Sequence, residues 1–158
     1  TLGARILSNL EKLHLTIKKL DLKIIDKSYY LNLAHSQGVV IQGIKNLQDS
    51  LFGLEANFEE LNAIDFKKGC YVGQENTARM KLKNKLRRRL FPIISKNSVL
   101  ISDEIKFKEQ IVGKVLIDGH YPFALIKLFE PDFRIFSKQI LKIRNSEIQI
   151  LNLDHFNI

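Results

Sequence analysis

Residues 110–129, QIVGKVLIDGHYPFALIKLF, contain two apolar runs separated by a short polar stretch. The runs at 110–117 and 123–129 are rich in Ile, Val, Leu and Phe, residues that favour β-strands. The DGHY segment between them, residues 118–121, has the composition of a hairpin turn. This stretch therefore predicts two neighbouring strands joined by a tight turn.

Four more segments in the second half of the chain have the same character. Several of them alternate apolar with charged residues, as a strand with one buried face does. They are residues 86–94, 104–108, 139–144 and 147–153. Six short strands at this spacing indicate a small antiparallel barrel or sandwich.

The first half of the chain has a mixed pattern. Residues 4–8 and 22–26 are short apolar segments that we expect to form strands. Residues 27–38 are expected to form a helix, because Ser28 can cap its start and Gly38 follows its end.

Two further helices are predicted downstream. One lies within residues 54–64, where Asn57 can act as the N-cap and Glu60 stands three residues later, as in a capping box. The other begins near Gly73 and continues through residues 74–83.

The change from helices to strands predicts two units in an α+β fold. We expect residues 1–84 to form the first unit and residues 85–158 the strand-rich unit, with a boundary near Asn84. No linker rich in Pro, Gly or Ser separates them, so the two units are expected to pack together.

The composition is that of a globular protein. The chain has 158 residues, of which 45% are hydrophobic and 27% charged. No apolar run reaches the roughly 18 residues that a membrane span needs. A single cysteine cannot form an internal disulfide and fits a reducing compartment. The net charge of +8 is compatible with a nucleic acid, an anionic small ligand or an acidic partner.

The single cysteine, Cys70, lies just before a predicted helix start. It follows Lys67 and Lys68 and precedes Gly73. Nearby cations and a helix N-terminus are conditions that lower the pKa of a thiol and favour the thiolate, which is a nucleophile and a metal ligand. The alternative is a small buried apolar side chain, a common role for a free cysteine.

The chain lacks the ligands for a metal site of its own. Structural zinc needs about four ligands, and iron–sulfur clusters normally use several thiolates. One cysteine and four dispersed histidines do not provide such a set; the histidines are His14, His35, His120 and His155. A transient bond through Cys70, shared with another protein, is still possible.

Two charged features have several interpretations. Glu55 can cap the second predicted helix, stay solvated, or accept hydrogen bonds from an amino-bearing heterocycle. Residues 81–90, KLKNKLRRRL, are the densest basic run, and Arg87, Arg88 and Arg89 place charge on both faces of a strand. Such a run can bind phosphate or a polyglutamate tail, bind RNA, or pair with acids elsewhere in the protein. No aromatic interleaving accompanies it, which makes RNA the less favoured ligand.

Residues 68–75, KGCYVGQE, resemble the signature of the YgfZ family of tetrahydrofolate-binding proteins. The likeness extends almost continuously over residues 54–93, and LGARIL near the start is similar to an earlier segment. This family is related to the glycine-cleavage T-protein, an aminomethyltransferase, and acts in iron–sulfur cluster assembly or repair. The T-protein lacks the signature, so the resemblance favours the cluster-maintenance branch.

The resemblance also implies a fold and a site. It implies a three-lobed protein around a folate site, of which this chain would supply the end of the central lobes and a complete C-terminal antiparallel β-barrel. Glu55 then matches a glutamate that contacts the pterin ring, and Cys70 matches a functionally important thiol. The other residues that it implies for the folate site are Lys68, Tyr71, Gln74, Glu75 and Arg79, while Gly69 and Gly73 complete the signature.

The function implied in this way is that of a folate-dependent accessory factor. Its partners would be folate and iron–sulfur proteins or cluster-assembly factors, in the cytoplasm or, in a eukaryote, the mitochondrial matrix. Enzymatic activity is left open. The alternatives are a folate-dependent aminomethyltransferase and an RNA-binding module built on the basic barrel.

Overall fold

A computed structural model describes residue 3 and residues 6–69, 74–83, 86–144 and 146–151. The helices in these ranges are α1 (Leu10–Lys19), α2 (Lys27–Ser36), α3 (Gln74–Leu82) and the short α4 (Phe133–Phe136), with a 3-10 turn at Ile44–Leu47. The strands are β1 (Arg88–Ser95), β2 (Glu104–Phe107), β3 (Gln110–Ile117), β4 (Phe123–Lys127), β5 (Leu141–Ile143) and β6 (Ser146–Ile150). The α+β class and all six predicted strands are confirmed.

The strands close into an antiparallel barrel in the order β1-β4-β3-β2-β5-β6. Strand β1 completes the closure, because Arg88–Pro92 pair with β4 and Ile93–Ser95 pair with β6. The DGHY segment is the connection between β3 and β4, which pair directly, and Gly119 has a φ of 83° there. The sequence predicted either a barrel or a sandwich, and the structure has the barrel.

Strands β3 and β4 are apolar on both faces because both faces are covered. Phe91, Val115 and Ile126 belong to the cluster inside the barrel. On the outside, a second cluster that includes Phe123 and Leu125 packs against the chain between α2 and residue 51. Burial on two faces removes the polar alternation of an ordinary surface strand.

Helix α2 confirms the helix expected over residues 27–38, with a different cap. Asp26, not Ser28, is the N-cap, and its carboxylate accepts a hydrogen bond from Ser28 N at 2.8 Å. Gly38 follows the helix with a φ of 72°. The helix expected over residues 74–83 is α3, and its expected start at Gly73 lies outside the described residues.

Helix α1 is an addition to the predicted elements. Asn9 caps it by accepting a hydrogen bond from Lys12 N at 2.9 Å, and Leu10, Leu13 and Ile17 have helical spacing. None of its ten residues is buried against the described chain.

Three elements predicted for the first half are not observed in the described residues. Residues 6–8 of the strand predicted over 4–8, whose residues 4 and 5 lie outside the described residues, and residues 22–26 form no strand, since the closed barrel leaves no open edge with which they could pair. Residues 54–62 form a series of turns instead of a helix. Asn57 has a left-handed φ of 64°, which is incompatible with a helix N-cap followed by regular turns. The boundary at residue 84 stays a prediction.

Candidate functional site

A cavity of ≈ 910 Å³, here called the Glu55 cavity, lies where three parts of the chain meet. These parts are the turns near residues 52–55, helix α3, and the neighbouring strands β1 and β4 with the residues that flank them. The lining includes one buried carboxylate, four cations and two aromatic rings: Glu55; Arg79, Arg87, Arg88 and Lys127; Phe52 and Phe129.

Glu55 is buried in the cavity wall, with only 3% of the residue exposed. Its carboxylate accepts a hydrogen bond from Phe52 N at 3.0 Å. Arg88 donates two more, from Nε to Oε1 at 2.9 Å and from Nη2 to Oε2 at 3.3 Å. A carboxylate withdrawn from water needs such partners, because burial of an unpaired charge is costly. The helix-cap and solvated interpretations of Glu55 are therefore wrong.

The turn that carries Glu55 is fastened to β1 by its backbone and by a neighbouring amide. Leu90 N donates to Glu55 O at 2.8 Å, and Asn57 Nδ2 donates to Leu90 O at 2.7 Å. Asn57 is completely buried. Both polar groups of Leu90 are thus bonded to the turn, which positions the Glu55 carboxylate opposite Arg88.

The three consecutive arginines have three different environments. Arg88 points to Glu55, while Arg89 on the opposite face forms a buried ion pair with Glu60 at 2.6 Å. Arg87 is exposed at the cavity rim. For Arg88 and Arg89, the structure therefore agrees with the interpretation that the run pairs with acids elsewhere in the protein.

Helix α3 is attached to the same turn region by Lys81. Its ammonium pairs with Glu59 and lies 5.6 Å from the ring centroid of Phe66. This contact places Asn76, Arg79 and Met80 of the helix along the cavity wall.

The structure brings together some of the predicted site residues and separates others. Glu55 and Arg79 both line the cavity. Glu75 is exposed on α3 and pairs with Arg79 one turn later, but it does not line the cavity. Lys68 is exposed in the turns before α3 and also lies apart from the cavity lining.

The rest of the predicted site cannot be placed in this way. Cys70, Tyr71 and Gly73 lie outside the described residues, and Gln74 is described only as the first residue of α3. Their assigned roles remain predictions.

Lys127 and the two aromatic residues of the lining, Phe52 and Phe129, are additions to the predicted site. The sequence could have indicated Lys127 as a site residue, because it is the only charged residue of the apolar run 123–129. Phe52 and Phe129 could not have been indicated in this way, since exposed phenylalanines in a sequence look like core residues.

His35 lies outside this cavity, in the contact between α2 and the barrel. Its Nε2 is 2.9 Å from Pro122 O, and its ring meets those of Tyr121 and Phe123 edge-on. Burial lowers the pKa of His35, although the contact with Pro122 O acts in the opposite direction. Among the described residues, no group of three or more His, Cys, Asp or Glu side chains is arranged to hold a metal ion.

None of the helices within the described ranges has the length and apolar character required to cross a membrane.

Similar proteins are known by sequence. No model of a protein family matches the chain. The chain is 43% identical over 70 residues to the mitochondrial iron–sulfur cluster assembly factor IBA57 homolog of Dictyostelium discoideum. This match covers 44% of the chain and 17% of that protein. The chain is 31% identical over 121 residues to the Pyricularia oryzae homolog, covering 77% of the chain and 30% of that protein. The human protein IBA57 is 43% identical over 58 residues, covering 36% of the chain and 16% of that protein.

In each of these matches, the chain spans less than a third of the relative's length. The similar proteins share one name. The chain is therefore similar to the IBA57 homologues, which belong to the YgfZ family whose signature KGCYVGQE resembles.

Proposed function

We propose that the protein is a tetrahydrofolate-binding accessory factor in the assembly or repair of iron–sulfur clusters. The observation that carries this proposal is its similarity to proteins that are named iron–sulfur cluster assembly factors. The proposed partners are iron–sulfur proteins or other cluster-assembly factors. Because the relatives are named mitochondrial, the proposed compartment is the mitochondrial matrix if the protein is eukaryotic, and the cytoplasm otherwise.

The Glu55 cavity is the proposed folate site. An ionised carboxylate offers about four acceptor positions, and Glu55 uses three of them for Phe52 N and Arg88. One position is left for an N–H group of an amino-bearing ring such as a pterin. Phe52 and Phe129 are 52% and 60% exposed and offer apolar faces to a planar ring. The residues present therefore suit the proposed ligand.

Cys70 is the proposed functional thiol. Three residues separate it from α3, which forms one wall of the cavity. Lys67 and Lys68 precede it, and cations near a helix start favour the thiolate. We expect this thiol to take part in thiol exchange, or to bridge transiently to a cluster or a client protein.

The activity of an iron–sulfur enzyme in cells that carry the full-length protein with Cys70→Ala tests the thiol role. We expect this activity to fall under oxidative stress, while the folate affinity of the purified variant stays near that of the wild type. Unimpaired enzyme activity would overturn the role of Cys70. Absence of folate binding by the full-length wild-type protein would overturn the folate role.

The two alternative functions have less support. Arg88 and Arg89 are engaged by Glu55 and Glu60, which leaves less of the basic run available to an RNA backbone. RNA affinity that falls steeply with salt would favour the RNA-binding alternative. Release of methylenetetrahydrofolate from an aminomethylated carrier would favour the transferase.

A further inference from the structure

We propose that the Glu55 cavity recognises an anionic tail on its ligand through Arg87 and Lys127, so that the ligand is a polyglutamylated folate. This inference rests on the proposed folate-binding function and adds the form of the ligand. It follows from three observations: the position of these two cations, their partners, and the division of the cavity into a buried and an exposed part.

Arg87 and Lys127 are exposed residues of the cavity lining. The other two cations of this lining have acidic partners, since Arg88 pairs with Glu55 and Arg79 with Glu75. In the described ranges, neither Arg87 nor Lys127 forms an ion pair with an acidic side chain. Two cations at the rim are therefore available to a ligand.

The strand register places the positive charge of Lys127 next to another positive charge, that of Arg88. Lys127 on β4 is the direct cross-strand partner of Arg88 on β1. Like charges directly opposite each other destabilise an antiparallel pair. Glu55 offsets the charge of Arg88, whereas Lys127 Nζ donates to the backbone oxygen of Ile111 at 3.0 Å. A bound anion beside Lys127 would relieve this repulsion.

The lining also contains a second carboxylate, that of the exposed Glu130. Cations still outnumber carboxylates by four to two in this lining, so the cavity as a whole favours an anion. We expect the anionic tail to follow Arg87 and Lys127 and to avoid Glu130.

The cavity therefore has two chemically different parts. Glu55 is buried and accepts hydrogen bonds, which suits the ring of a ligand, while Arg87 and Lys127 are exposed and cationic, which suits flexible carboxylates. Exposed ion pairs are individually weak, and several carboxylates on one chain gain from being tethered to the same ring. A chain of several glutamates thus suits this rim better than a single glutamate does.

The test compares monoglutamyl with pentaglutamyl tetrahydrofolate as ligands of the full-length protein, by calorimetry at low and high salt. We expect the pentaglutamyl form to bind about tenfold more tightly at low salt, and the difference to shrink as salt rises. The double variant Arg87→Gln/Lys127→Gln should lose this preference, because its affinity for the pentaglutamyl form should fall more than its affinity for the monoglutamyl form. Lys96→Gln/Lys142→Gln is the matched control, because it removes two exposed charges away from the cavity lining and should keep the preference.

Each outcome bears on a different claim. Equal affinity of the wild type for both ligands would overturn this inference and leave folate binding in place, whereas no affinity for either would overturn both. Displacement of the pentaglutamyl ligand by inorganic tripolyphosphate as readily as by free pentaglutamate would identify a general anion site and overturn the glutamate assignment. Thermal unfolding checks that the variants fold. If Lys127→Gln prevents folding, the single variant Arg87→Gln replaces the double variant.

Discussion

The carboxylate of Glu55 and the guanidinium of Arg88 form a two-point ion pair between a turn of the first half of the chain and the first strand of the barrel. The side chain of Glu55 is 4% exposed and that of Arg88 is 42% exposed. The pair therefore extends from the buried wall of the cavity to its open side. It joins two regions that are 33 positions apart in the sequence.

Replacement of Arg88 by Gln should lower the free energy of unfolding by about 1–3 kcal/mol, because a buried carboxylate loses its charged partner. Denaturant unfolding measures this change. In a double-mutant cycle with Glu55→Gln, the combined loss should be smaller than the sum of the single losses. The control is Arg79→Gln, which breaks an exposed pair with Glu75 and should cost less than about 0.5 kcal/mol. Equal losses for Arg88→Gln and Arg79→Gln would contradict the prediction.

Replacement of Asn57 by alanine should destabilise the protein more than replacement by glycine. Alanine loses both the hydrogen bond to Leu90 O and the ease with which Asn adopts a φ of 64°, whereas glycine loses only the hydrogen bond. We expect Asn57→Ala to cost about 1 kcal/mol more than Asn57→Gly in unfolding experiments. A larger loss for glycine would show that the backbone conformation is not the constraint.

Gly113 on β3 should tolerate no side chain. An added Cβ would stand 2.6 Å from Ile126 Cδ1 and 2.7 Å from the backbone oxygen of Leu125 on the paired strand. Gly113→Ala should lower the free energy of unfolding by about 1–3 kcal/mol, because the barrel wall must shift. Gly69→Ala is the control, since no atom of the described residues lies within 4 Å of the corresponding Cβ. Unchanged stability of Gly113→Ala would mean that the strands can separate without cost.

Substitutions in the β2–β3 turn should raise the stability of the protein. Lys108 and Glu109 connect the paired residues Phe107 and Gln110, and both have positive φ angles, 46° and 65°. Two-residue turns of this kind favour Asn-Gly, so Lys108→Asn/Glu109→Gly should raise the free energy of unfolding by about 0.5–2 kcal/mol. The double variant Lys108→Gln/Glu109→Gln removes the same charges but keeps the unfavourable backbone, and it should leave stability nearly unchanged.

The free energy of unfolding should decrease as the pH is lowered, because of the buried His35. Its pKa in the folded protein lies below the ordinary value of 6.5 because burial disfavours the charged ring. As the pH falls below 6.5, the unfolded chain binds a proton that the folded protein resists, so the free energy of unfolding decreases until the pH reaches the folded pKa.

Unfolding measured between pH 7.5 and 5 checks this sign, with His35→Gln as the test variant and His14→Gln on the exposed helix α1 as its control. We expect the pH dependence to weaken in His35→Gln alone. The same slope in His35→Gln and in the wild type would exclude His35 as its source.

The barrel was predictable because its strands carry local signals. The runs at 110–117 and 123–129 and the DGHY turn specify a hairpin through β-propensity and turn chemistry alone. The segment around Asn57 shows where this reasoning fails, because its capping-box spacing favours a helix locally. Its buried hydrogen bond to Leu90 O is a tertiary contact between residues 33 positions apart, which no local pattern reports.

The sequence by itself determined the α+β class, the six strands, helices α2 and α3, and the resemblance to the YgfZ family through its KGCYVGQE signature, since each depends on residues close together in the chain. Only the tertiary structure decided that Arg88 neutralises Glu55, that Arg89 turns away to Glu60, and that Lys127 stands beside Arg88 at the cavity. These relations depend on how the barrel closes and which strands become neighbours. A carboxylate buried by a distant strand and a lysine placed opposite an arginine by strand register cannot be recognised from their own neighbours in the sequence.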